Sequence, residues 1–151
     1  MKTEEYKEIL SFAVKSEIDA NEYYLAIAKK AKDASVIQLF TELAADELNH
    51  KKSLEAYLKT DAKPLVFAKA IDYKISEAVE KPGISADMNF VDAVALAMKN
   101  EQEAMDMYNA MADSSQSAEQ KQMFEALAVM EKGHKAYLED IYNNSAYGEV
   151  W

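Results

Sequence analysis

Cysteine and arginine are both absent from this 151-residue chain. Without cysteine there are no disulfides, no thiolate nucleophile and no iron–sulfur or rubredoxin-type iron site. Without arginine there is no guanidinium fork for phosphates or base edges, so the positive charge rests on lysine alone. With a net charge of −10, nucleic acid and anionic membrane surfaces are poor partners. No apolar run approaches the length of a membrane span. The first ten residues are charged and lack the apolar stretch of a signal peptide, so a cytoplasmic location is the expectation. Glycine (3) and proline (2) are scarce, which removes most of the usual turn and breaker signals.

Alanine, glutamate, lysine, leucine and methionine are plentiful instead, and half the residues are hydrophobic. That composition predicts one all-α domain over 1–151 with a sizeable core. Apolar residues at three- and four-residue steps mark four long helices. The first is expected over Glu4–Lys32 with Thr3 as its cap, and the second over Ser35–Lys59. The third follows Asn89, with Asn89 and Asp92 at capping spacing. The fourth follows Asp113–Gln116, with Ser117 and Gln120 at the same spacing. Residues 143–151, with Tyr147 and Trp151, read as a C-terminal tail. The first and third interhelix loops are short, so each helix pair forms an antiparallel hairpin. Some 30 residues from Thr60 to Asn89 join the hairpins, too many for a turn. They are expected to cross the length of the bundle, with a short helix around Val66–Glu80. Two hairpins joined by one long crossover is the ferritin-like four-helix arrangement.

The chain has only two histidines, His50 and His134, and each has a glutamate three residues before it, Glu47 and Glu131. A further glutamate lies 30 residues upstream of each pair, Glu17 and Glu101. The constellation is thus repeated at a displacement of 84 residues. The apolar register repeats with it, at Tyr24/Tyr108, Phe40/Phe124, Leu43/Leu127 and Leu54/Leu138. This implies two similar hairpins related by a pseudo-twofold axis.

Residues three apart on a helix share a face, so each Glu-x-x-His pair points one way, and that way is inward. Four inward carboxylates would repel one another, and burying them is costly unless they are paired or metal-bound. Two divalent cations resolve this. Carboxylate-rich sites with one imidazole per metal suit iron or manganese better than zinc or copper. The geometry of such bundles places Glu47 and Glu131 between the metals. Glu17 with His50 and Glu101 with His134 would complete them, although sequence leaves open which terminal glutamate joins which histidine. Tyr24 and Tyr108, seven residues beyond Glu17 and Glu101, are either core aromatics or hydrogen-bond partners that orient the carboxylates.

With these motifs, the chain resembles the rubrerythrin-like branch of the ferritin-like superfamily over about residues 5–143. The resemblance implies a non-haem diiron site with Glu17, Glu47, His50, Glu101, Glu131 and His134 at ligand positions. It further implies reaction with hydrogen peroxide or dioxygen, and assembly as a homodimer. Full-length rubrerythrins add a cysteine-bearing rubredoxin domain and a further glutamate three residues after the third-helix ligand. Here that position is Ala104, and electrons must come from an external donor, a rubredoxin-like protein or reductase. Alternative functions on the same scaffold are iron binding with ferroxidase activity, or a diiron oxygenase or sensor, and a large apolar pocket beside the metals would favour the oxygenase.

Overall fold

The computed structural model describes residues 3–59, 67 and 69–147. Four helices carry the fold: α1 (Thr3–Lys30), α2 (Ala34–Lys59), α3 (Phe90–Asp113) and α4 (Ala118–Tyr147). Their ends agree with the expected ones to within a residue or two, except at the end of α4. That helix continues to Tyr147, so residues 143–147 are helical rather than a tail, and Trp151 lies outside the described residues. The caps explain the starts. Asn89 Oδ1 accepts the Asp92 N–H at 2.8 Å, and Ser117 Oγ accepts that of Gln120 at 3.2 Å. At α2 the cap is Asp33, whose Oδ1 accepts the N–H groups of Ser35 and Val36.

α1 packs along α2, and α3 along α4. Between hairpins, Tyr24 meets Glu101 while Phe12 meets Tyr108. A later residue of α1 thus faces an earlier residue of α3, so these helices run antiparallel. This is the four-helix, ferritin-like bundle that the pattern predicts.

The apolar core is divided in two. One cluster takes Tyr24, Ile27, Val36, Phe40, Val94, Met98 and Leu138. The other takes Leu10, Ala13, Leu54, Met105, Tyr108, Met123 and Leu127. Each helix contributes to both, and between its two contributions each carries its glutamate: Glu17, Glu47, Glu101 and Glu131, all buried. The carboxylates therefore form a polar layer at mid-height, shielded from water by apolar packing above and below. That is where an ionised group is most costly and a metal most stabilising.

The crossover corrects one expectation. No helix forms over the described part of Val66–Glu80: residues 69–75 are irregular, and only a single 3-10 turn, Ser76–Ala78, appears. Interactions with α4 outweigh helix propensity here. Asp72 accepts the Lys74 N–H at 3.0 Å, and Lys74 adopts the left-handed region at φ 55°. The Ser76 N–H and hydroxyl both donate to Glu139 Oε2, at 2.6 and 2.7 Å. Lys135, wholly buried, pairs with Asp72, with Glu77 at 2.8 Å and with Glu139 at 3.1 Å. This network fixes the crossover to α4, and Lys99 fixes it to α3 by donating to the Ser76 carbonyl at 3.0 Å.

Candidate metal centre

The helices bring all six predicted side chains together in the mid-height layer. His50 Nδ1 lies 3.9 Å from Glu17 Oε2. His134 Nδ1 lies 3.4 Å from Glu47 Oε1 and 3.5 Å from Glu101 Oε2. The two imidazoles stack, with centroids 4.1 Å apart and planes 10° apart. Glu47, His50 and His134 form one group able to hold an ion, and Glu101, Glu131 and His134 form another. Glu47 and Glu131 each face both Glu17 and Glu101. They occupy the middle of the layer, with the α1 and α3 glutamates on either side. The histidines present Nδ1 to the carboxylates, a choice of nitrogen that no spacing rule reveals.

The electrostatics of the layer follow from burial and from the crowding of its carboxylates. Burial and the neighbouring carboxylates push Glu17 and Glu131 far above the usual carboxylate range, and burial with Glu101 nearby raises Glu47. Glu101 is the exception. Burial opposes its ionisation, but the His134 imidazolium holds it down at about 2. His134 is raised in turn: burial works against its charge, and Glu101 and Glu47 outweigh that. His50 goes the other way, lowered to about 4 by burial and the charge on His134. Both oxygens of Glu17 and the Nδ1 atoms of His50 and His134 are buried without a hydrogen-bond partner among the described residues. Orphaned carboxylate and imidazole atoms converging on one layer suit divalent cations.

The tyrosines behave differently from each other. The Tyr24 hydroxyl donates to Glu101 Oε1 at 2.9 Å and so orients that carboxylate. Tyr108 is held edge-on by Phe12, with centroids 6.4 Å apart, and its buried hydroxyl makes no such bond. Ser16 lies beside that hydroxyl, but not in hydrogen-bonding geometry.

Sequence reasoning misses a cavity of about 390 Å³ that opens between α1 and α3 onto the carboxylates. Its walls pair across the repeat: Ser16 with Asn100, Asp19 with Glu103, Ala20 with Ala104, Tyr23 with Met107 and Tyr24 with Tyr108. The four glutamates of the layer form its floor, so it lies on the pseudo-twofold axis. Lys81, from the crossover, has no counterpart in this pairing, and it bonds Glu103 at 3.0 Å at the mouth. The 84-residue register could have revealed these walls, but not the space between them. The buried Lys135–Glu139 pair was also missed, because its i,i+4 spacing resembles any surface pair.

Comparison with known proteins identifies the family. A family model described as rubrerythrin matches residues 8–142, a span that contains all six convergent side chains. The chain belongs to the rubrerythrin family. A solved structure of a hypothetical protein from Pyrococcus furiosus is similar to this rubrerythrin-family chain. It is 26% identical with a TM-score of 0.50, covering 92% of this chain and 89% of that one. No curated protein matches the chain.

Proposed function

We propose that this chain is a non-haem diiron oxidoreductase that reduces hydrogen peroxide or dioxygen with electrons from an external donor. The observation that supports this best is the convergence of two Glu-x-x-His pairs and two further glutamates in one buried layer. Glu17 and His50 would hold one iron, and Glu101 and His134 the other. Glu47 and Glu131, each facing both terminal carboxylates, would bridge them. When bound, the pair of ions supplies two reducing equivalents and Lewis acidity. The chain's own contribution is to orient and to exclude. Tyr24 fixes Glu101, the apolar clusters close the layer above and below, and the α1–α3 cavity admits a small oxidant. The four carboxylates balance the charge of two divalent cations, which keeps the buried site neutral overall.

Residues 1–151 hold no cysteine for an iron–sulfur relay, so the electrons are proposed to reach this domain from outside it, from a rubredoxin-like protein with its reductase. The test is stopped-flow oxidation of the reduced protein by peroxide and by oxygen. Without donor, about one peroxide per site is consumed before the reaction stalls. Adding the donor restores cycling. Sustained turnover without any donor refutes the proposal, and net iron uptake without peroxide turnover favours an iron-handling role. Elemental analysis sets the stoichiometry: two metals in the native chain, and about one after His50→Ala or His134→Ala. A single metal in the fully loaded native protein refutes the dinuclear reading. The cavity favours a second reading, oxygenation of an organic substrate, because peroxide needs far less space than it offers.

A further inference from the structure

Among the described residues, two hydrogen-bond donors are buried without partners on the α3 wall of the cavity over the carboxylate layer. On the α1 wall, the Tyr24 hydroxyl is engaged by Glu101. On the α3 wall, Asn100, Ala104 and Tyr108 recur every four residues and form one stripe. Tyr108 is fully buried with its hydroxyl unpartnered among the described residues, and the Asn100 Nδ2 is buried and unpartnered too. Between them Ala104 leaves a gap, and Ala20 leaves the matching gap on the opposite wall. The Asn100 Nδ2 only donates and the Tyr108 hydroxyl can donate, so both can serve an acceptor placed between them. A buried donor left without an acceptor is costly, so an acceptor that fills the gap relieves a standing penalty.

The surroundings define the rest of the ligand. Alanine, methionine and tyrosine rings supply apolar contact. The volume lies within the range of small-molecule pockets, which pair apolar walls with a few placed polar groups. The floor is four glutamates, and Asp19 and Glu103 flank the mouth against the single lysine, Lys81. Even with two divalent cations neutralising the floor, that leaves an excess of negative charge, which disfavours an anion.

We propose that the α1–α3 cavity is a binding pocket for a small uncharged organic molecule bearing a hydrogen-bond acceptor. Tyr108 engages the acceptor, and Ala20, Ala104 and Met107 cover the apolar body. The proposal concerns binding and is independent of which oxidant the centre uses.

The test titrates the full chain, metal-free and loaded with redox-inert zinc, with three probes by ligand-observed and protein-observed NMR. Acetophenone carries an acceptor, toluene does not, and benzoate is the anion. Acetophenone binds with a Kd of about 1 mM or tighter, about fivefold better than toluene. Benzoate binds at least about tenfold more weakly than acetophenone. Tyr108→Phe removes the preference for acetophenone over toluene and leaves toluene binding unchanged. Ala104→Leu fills the gap and abolishes binding of both, and Ala20→Leu does so from the opposite wall. Circular dichroism and metal content on the same samples report folding and the centre separately. Loss of metal with probe binding intact therefore counts against the diiron reading and leaves the pocket standing. Absence of acetophenone binding overturns the proposal, as does benzoate binding more tightly than acetophenone. Unchanged affinity in both leucine variants overturns it as well.

Discussion

The hairpins α1–α2 and α3–α4 are near copies at the metal layer and diverge elsewhere. Lys51 and Glu55 of α2 form an ordinary pair at 3.6 Å, with side chains 31% and 41% exposed. Their counterparts on α4, Lys135 and Glu139, are both 0% exposed, enclosed by the crossover with Asp72, Glu77 and Ser76. The reverse holds on the other flank. Leu25, Ile37 and Leu48 are exposed on the first hairpin, where the second has Asn109, Lys121 and Lys132. The repeat is thus kept where six side chains must converge. It is lost where one hairpin alone is covered by the connecting chain. The same spacing in sequence gives a solvated pair in one half and a buried network in the other.

The largest break in the symmetry of the layer should come from removing metal. In the metal-free protein, Glu17, Glu47 and Glu131 hold their protons more tightly when folded than when unfolded. Their contribution is fully present below the ordinary glutamate value of 4.5 and is lost as pH rises. His134, also raised, is lost in the same direction above 6.5. His50 and Glu101 are lowered, and their opposing contributions change only below 6.5. Between pH 6.5 and 8.5, chelated protein should therefore lose up to ~1.4 kcal/mol per pH unit for each raised group still protonated. Metal-loaded protein should show a higher Tm and little slope. Parallel pH profiles of Tm for the two forms would mean that the carboxylates do not repel one another.

Next in size is the crossover network. Lys135→Met leaves Glu139 buried without its cation and should destabilise the fold by about 3–5 kcal/mol. Lys51→Met, at the equivalent place, should change stability by no more than about 1 kcal/mol. Urea unfolding of both variants measures the contrast, and equal losses would show that the crossover does not desolvate the second pair.

The tyrosines give a smaller, sharper contrast. Tyr24→Phe removes the bond that orients Glu101 and should weaken metal binding by about tenfold or more. Tyr108→Phe removes no bond to the layer and should leave metal affinity within about twofold. Competition with a fluorescent chelator reads both, and equal effects would mean that Tyr108 reaches a carboxylate once metal is bound. The smallest effect is expected from Leu48→Lys, which gives the first hairpin the residue at the matching place in the second. Stability should stay within about 0.5 kcal/mol, since Leu48 is 39% exposed. A larger loss by urea unfolding would show that its packing differs from that of its counterpart.

Much of this protein follows from sequence alone, because helices convert spacing into direction. Glu47 and His50 share a face by periodicity, and so do Glu131 and His134. The 84-residue repeat then places Glu17 and Glu101 in equivalent positions on two other helices. Helix ends were legible from Asn89 and Ser117 because a cap is a local bond. Tertiary structure decided what depends on residues far apart in the chain. Asp72, Ser76 and Glu77 meet Lys135 and Glu139 across some 60 residues, and those contacts replace the expected crossover helix with an irregular strap. The hydroxyl of Tyr24 reaches Glu101 on another hairpin, whereas Tyr108 lines a cavity and its hydroxyl makes no such bond. The cavity is likewise a property of two helices held apart, since its alanines look like ordinary helix formers in sequence. Periodicity fixes which way a side chain points along its own helix, and only packing between helices fixes what it meets there.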